Sequence, residues 1–137
     1  MPKKKSKLVI DTNIWISFLL TKDFTAFDKI VSTPNLILLF STKLLEEFIE
    51  VAHRPKFRKY FSTADLEELL FQMKEHGEFI NVTSSTTICR DPKDNFLLSL
   101  SKDGKATHLI TGDKDLLDLK RIGKTQITTL KMYLSQS

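Results

Sequence analysis

Acidic side chains recur in this sequence at one kind of place, in or just after a short apolar run. Asp11 follows LVI, and Glu47 lies in STKLLEEFIEV soon after LILLF. Asp91 and Asp94 stand in RDPKDNFLLSL, and Asp113 and Asp115 in HLITGDKDLLDL. An ionised carboxylate among apolar segments is costly to bury unless something pairs with it. Several of them in one cleft repel unless a cation neutralises them. Oxygen donors without a His or Cys cluster favour Mg²⁺ or Mn²⁺ over Zn²⁺. Such a site suits metal-assisted phosphodiester hydrolysis, in which a metal-bound water attacks and a second ion can hold the leaving oxygen.

Each acid also has a plainer use. Asp11 fits an N-cap with Thr12 and Asn13 as turn residues. On a helix through residues 42–52, Leu44, Leu45, Phe48, Val51 and Ala52 make one apolar face at about 100° per residue. Glu46 and Glu50 then point to solvent, while Glu47 sits at the border, where it can lean into a pocket beside the core. Asp91 before Pro92 reads as N-cap then N1. Asp94 then falls at N3, where it favours the helix dipole, yet it shares a side with Leu97 and Leu98. Asp113 or Asp115 can cap the helix after Gly112, and Asp118 belongs on the solvated side. Taken one by one the acids are caps or members of a solvated helix face; taken together they gather at one place.

That place depends on the elements. Leu8–Ile10 reads as a strand, and Ile14 to about Val31 as one helix ended by Ser32, Thr33 and Pro34. LILLF (36–40) has the continuous apolar character of a strand buried on both faces. Ser41 or Thr42 caps a helix to about His53, which Pro55 stops. A further helix runs from Ser62 or Thr63 to Gly77, then a strand over Glu78–Thr83 and a helix over Pro92–Lys102. His108–Thr111 is a strand, Lys114–Leu119 a short helix, and Ile127–Leu130 the last strand before a C-terminal helix. Alternating strands and helices predict an α/β domain with a mainly parallel sheet. Ligands in such sheets sit beyond the carboxyl ends of the strands, where the acids fall.

Composition narrows the field further. The 137 residues suit one domain over 8–137 behind a basic, disordered tail over 1–7. Lys3, Lys4, Lys5 and Lys7 supply four positive charges, equal to the whole net charge of +4, so the chain from Leu8 onward sums to zero. The basic-then-apolar start mimics a secretory signal, but Asp11 and Asn13 break the apolar run and no small-residue cleavage pattern follows. No stretch approaches the ~20 apolar residues that span a bilayer. A single cysteine, Cys89, excludes an internal disulfide and fits a reducing, cytoplasmic setting; it reads as a small buried side chain near a strand end. No Gly-rich phosphate loop is present, which argues against a nucleotide-binding ATPase or dehydrogenase. His53, His76 and His108 lack metal-ligand spacing.

The order LVIDTN, LLEEFIEVAHRPKF, DPKDNFLLSLS, LITGDKDLL resembles the PIN-domain nucleases over about Leu8 to Leu130. Within them it is most like the bacterial branch of toxin–antitoxin toxins (VapC-like). No single motif is specific; the four in this order are. The resemblance implies a three-layer α/β/α sandwich with a central, mainly parallel sheet and a ribonuclease dependent on Mg²⁺ or Mn²⁺, often a homodimer and often blocked by an antitoxin partner. It places the family's acids on Asp11, Glu47, Asp94 and Asp113, with Asp115 an alternative or added ligand. Asn13 and Thr111 become groups that orient the carboxylates. Lys93 stands where relatives often carry a further acid, a departure that would weaken a second metal position.

HRPKFRKYF (53–61) interleaves basic and aromatic residues. Arg54, Lys56, Arg58 and Lys59 could track RNA phosphates with a base stacked on Tyr60. An ordinary helix-to-helix turn with its aromatics packed inward fits the same residues, and for the aromatics it is the preferred reading. Two other functions fit the acids less closely: an RNA- or protein-binding module in which they remain as caps, and a phosphoryl-accepting signalling domain. The strand-then-DTN start and the position of Glu47 fit the last poorly.

Overall fold

The structure, a computed structural model, describes residues 5–89 and 91–136. Its sheet begins with β1 (Ser6–Ile10), β2 (Leu36–Phe40) and β3 (Gly77–Phe79). It continues with β4 (His108–Ile110), β5 (Arg121–Ile122) and β6 (Thr125–Thr128). The spatial order is β3-β2-β1-β4-β6-β5. Every pairing is parallel except that of β5 with β6. Helices flank the sheet in an α/β/α sandwich, as the resemblance implies.

The order fixes where a ligand can sit. From β1 the chain steps to β2 on one side, and from β4 it steps to β6 on the other. Order therefore reverses between β1 and β4, which pair with Ile10 opposite Ile110. The connections diverge there and leave a crevice at the carboxyl ends of the two strands. Leu8, Val9, Ile10, Leu38, Leu39 and Phe40 are all buried, as parallel strands covered on both faces require.

Helices α1 (Thr12–Thr21) and α2 (Thr25–Val31) replace the single helix expected over residues 14–31. Lys22 takes a left-handed conformation (φ 56°), its N–H closes onto Phe18 O, and Asp23 accepts from Thr25 N. Polar side chains that bond their own backbone break the helix there. The two helices fold over Trp15, whose ring lies 5.6–6.5 Å from those of Phe18, Phe27, Phe40 and Phe48.

Helix α3 (Thr42–Ala52) is capped by Ser41, which accepts from Leu44 N. Pro55 opens the short α4 (Pro55–Arg58), and a Ser62–Asp65 capping box opens α5 (Thr63–His76). β3 is shorter than the expected 78–83 strand. Its partner β2 ends at Phe40, so Ile80 N–H to Phe40 O is the last rung and the chain then leaves the sheet. Residues 80–89 form an irregular strap along α6 (Pro92–Asp103). Thr83 N, Ser84 N and Ser84 Oγ donate to the Asp103 carboxylate, and the Asn95 amide clasps both backbone groups of Cys89. Cys89 is thus half-buried in the strap rather than buried at a strand end.

After β4, α7 is confined to Lys114–Leu117, and a hairpin turning at Gly123 (φ 56°) pairs β5 with β6. The last strand is 125–128 rather than 127–130, because Thr129 leaves it to cap α8 (Leu130–Ser135). The basic tail expected over 1–7 is shorter as well, since Ser6 and Lys7 already pair with Leu36 and Ile37. Met1–Lys4 lie outside the described residues. No helix among the described residues is long and apolar enough to cross a membrane.

Candidate metal centre

β1 ends by handing Asp11 to the crevice. Asp11 N–H makes the last bond to the neighbouring strand, to Ile110 O at 2.9 Å, and the residue then caps α1 through Oδ1, which accepts from Asn13 N at 3.3 Å. Its other oxygen accepts from Thr111 Oγ1 at 2.8 Å. Thr111 follows β4, and the same hydroxyl accepts from Asp113 N at 3.0 Å. One buried threonine thereby ties both strand ends together and fixes the two acids that follow them. Burial raises the pKa of Asp11, the bonds from Thr111 and Asn13 lower it, Asp113 raises it and Lys93 lowers it, with a net rise.

Asp113 caps α7, accepting from Asp115 N at 2.8 Å. Asp91 caps α6, accepting from Lys93 N at 3.0 Å, and stays exposed. Asp94, at N3 of that helix, turns inward and is only 4% exposed. Burial first, then the charges of Asp113, Asp91 and Asp11, push its carboxyl up to about 6. Among the described residues three buried side-chain polar atoms lack a hydrogen-bond partner: Thr12 Oγ1, Trp15 Nε1 and Asp94 Oδ2. Only Asp94 can carry a charge there, and a buried carboxylate oxygen without a donor is the costliest of the three to leave unpaired.

Asp94, Asp113 and Asp115 each present one oxygen within 4.8 Å of the others. Asp11 adjoins them through Thr111 and by its charge on Asp94. Glu47 stands differently. It is half-buried on α3, and its Oε1 lies 3.1 Å from Lys93 Nζ on α6. It is outside the three-acid group, and its immediate neighbour is a cation. Nothing in the sequence joins residues 47 and 93 by local spacing, so this pair is legible only in three dimensions. Asn13 is exposed and acts on Asp11 through its backbone N–H. Glu46 and Glu50 face solvent.

The segment 53–61 makes no hydrogen bond or ion pair with Asp11, Glu47, Asp94, Asp113 or Asp115 among the described residues. Arg54 is forked onto Glu50 (Nη2 at 3.2 Å from both oxygens), Lys56 lies 4.9 Å from the Phe57 ring centroid, and Lys59 5.3 Å from that of Tyr60. Arg58 is half-buried. Phe61 packs into the core, but Tyr60 is 51% exposed, so the inward packing expected of the aromatics does not extend to it.

An oxygen-only group of three carboxylates, one of them buried with a free oxygen, fits a hard divalent cation. The fold and this group define a class, and the sequence places the chain in it. A family model described as PIN domain matches residues 7–115, and the chain belongs to the PIN-domain family, whose members are in general nucleases that use divalent metals. The chain is 31% identical over 123 residues to the uncharacterized protein MJ1680 of Methanocaldococcus jannaschii, covering 88% of this chain and 79% of that protein. It also superposes on a chain of the crystal structure of VapBC2 from Rickettsia felis bound to a DNA fragment from their promoter. The TM-score is 0.58 at 15% identity, over 88% of this chain and 96% of that one. At that identity the likeness is one of fold.

Proposed function

We propose that this chain is a Mg²⁺- or Mn²⁺-dependent endoribonuclease and the VapC-like toxin of a toxin–antitoxin pair. The observation that carries the reading is Asp94: buried, without a donor on Oδ2, and within 4.8 Å of oxygens of Asp113 and Asp115. Asp94 and Asp113 would hold the cation, with Asp115 and Asp11 completing the set. A bound ion supplies an activated water at neutral pH and neutralises charge on the phosphodiester. Thr111 holds Asp11 and Asp113 in register, and Asn13 N–H fixes the second oxygen of Asp11. Glu47 joins the group when a substrate phosphate draws Lys93 away from it. Arg54, Lys56, Arg58 and Lys59 lend positive charge to RNA bound outside the crevice. The toxin role, the antitoxin partner, the homodimer and the cytoplasmic setting rest on the sequence resemblance, and the neighbour named VapBC2 shares the fold.

A second reading, an RNA- or protein-binding module without turnover, draws on Lys93, a cation standing against one of the expected ligands. Cleavage of a mixed-sequence fluorogenic RNA with Mn²⁺, with Mg²⁺ and with chelator separates them. The nuclease reading expects cleavage that needs metal and is lost in Asp11→Asn and Asp94→Asn. Absence of both cleavage and divalent-metal binding would transfer the chain to the second reading.

A further inference from the structure

A groove of about 770 Å³ opens between the strap, the start of α3 and the first turns of α6. Phe96 and Phe79 stand on its walls, 41% and 58% exposed. Both are large apolar rings left in water beside a concave surface. Lys43 Nζ lies 3.8 Å from the Phe96 ring centroid and has no carboxylate partner among the described residues. No Asp or Glu lines the groove; its other walls carry hydroxyls such as that of Thr42 and the amide of Asn81, the Asn95 amide being taken up by Cys89. Phe96 follows Asp94 by two positions, about 200° around α6. The helix thus shows its acid to the candidate centre and its aromatic ring to the groove, with no more than a helix diameter of about 10–12 Å between them.

We propose that this groove binds one unpaired nucleotide of an RNA strand next to the phosphodiester to be cut, its base stacked on Phe96 and its phosphate on Lys43. The position, though not the chemistry, of the subsite rests on the nuclease reading. A base needs a flat π-face and donors and acceptors along its edge, and an adjoining phosphate needs a cation. The groove offers all three once Lys43 swings from the Phe96 ring face to the phosphate, and the nearby carboxylate of Glu47 is already paired with Lys93. An apolar peptide would leave Lys43 and the Asn81 amide unused. Bases paired within an A-form helix cannot reach such a pocket, so the subsite selects single-stranded RNA.

The test is binding of a labelled single-stranded RNA octamer to the full chain in chelator, which prevents cleavage. Phe96→Ala should weaken binding by about five- to 150-fold, the span for losing one base–aromatic stack. Phe96→Trp should bind at least as well as the parent chain. Its added fluorescence should be quenched by the octamer and not by an abasic octamer of the same length. Lys43→Ala should weaken binding and lower the salt slope by about one charge. Thermal melting of each variant checks that the fold is intact. Binding indifferent to Phe96, a tryptophan that RNA does not quench, or no binding by the parent chain would overturn the proposal. So would a change of oligomeric state in Phe96→Ala with RNA affinity intact, which would assign the groove to a second copy of the chain. Cleavage of RNA in metal without any Phe96 dependence would leave the nuclease standing and remove the subsite. Phe96-dependent binding by a chain that cuts nothing in Mn²⁺ or Mg²⁺ would do the reverse.

Discussion

Asp94 on α6 and Glu47 on α3 stand on neighbouring helices at one end of the sheet, and the same helix that carries Asp94 sends Lys93 across to Glu47. Glu47 has its counter-charge at 3.1 Å and keeps some contact with water. Asp94 is buried among other acids with one oxygen unbonded. Folding gains nothing from the second arrangement, because each desolvated like charge raises the free energy of the ionised state. The comparison separates an acid that the chain has neutralised from one that it has left for something outside itself to neutralise.

Asp94→Asn breaks the comparison most severely. RNA cleavage should fall by more than about a hundredfold, the upper range for losing a group that merely orients a ligand. The same substitution should stabilise the metal-free fold. The folded chain holds the Asp94 proton up to about pH 6, while unfolded aspartates titrate near about 3.9. Between those values the folded state binds more protons, so stability falls as pH rises through the window, and the full penalty is present above it. Denaturant melts at pH 7 should find Asp94→Asn more stable by up to about 3 kcal/mol, with the gap closing near pH 3.5. A variant no more stable at pH 7 would mean that Asp94 is already compensated within the chain.

Metal addition should favour the parent chain, reversing the order of stability that holds without metal. At a hundred times its dissociation constant, Mn²⁺ should stabilise the parent chain by about 2.7 kcal/mol, because it binds only the folded state. Asp94→Asn should show a small fraction of that shift at the same concentration. Equal shifts in thermal melts would locate the ion elsewhere.

Lys93→Met sharpens the comparison by turning Glu47 into an unpaired acid like Asp94. The pair is partly exposed, so its loss should change stability by less than about 1 kcal/mol. Removing a cation beside the acids should tighten Mn²⁺ binding about two- to fivefold, the same small energy read as an affinity. Calorimetric titration gives the answer directly; weaker binding would show Lys93 to be ordering the site rather than opposing it.

How much of this could be read from the sequence varies with the range of the forces involved. Strands β1 and β2, the capped start of α3 and the Asp91–Pro92 entry to α6 are set by local patterns, and those patterns are plain. The inward turn of Asp94 was also legible, since its side of the helix is shared with Leu97 and Leu98. The break between α1 and α2 was not, because a left-handed lysine leaves no periodic trace and the apolar spacing continues across it. The end of β3 depends on where its partner stops, and β5 pairs over only two residues. The bond from Thr111 to Asp11 spans 100 positions. The Lys93–Glu47 pair joins two helices. Sequence spacing could place these groups near one edge, but the choice between a paired acid and an unpaired one is made by packing.

The smallest effect belongs to Arg54, the most fully neutralised of the basic residues in 53–61. Its guanidinium is already forked onto Glu50 one helical turn earlier, in an exposed i,i+4 pair. Such pairs contribute about 0.3–0.5 kcal/mol, so Arg54→Ala should leave the melting curve nearly unmoved. A phosphate competing for Arg54 must first displace that carboxylate, and the substitution should therefore weaken RNA binding by no more than about threefold. Glu50→Ala, which frees the guanidinium, should tighten RNA binding by a similar factor and steepen its salt dependence. If both variants bind RNA as the parent does, the basic turn is a solvated surface. Recognition would then lie with groups that no carboxylate neutralises, such as Lys43 over the Phe96 ring.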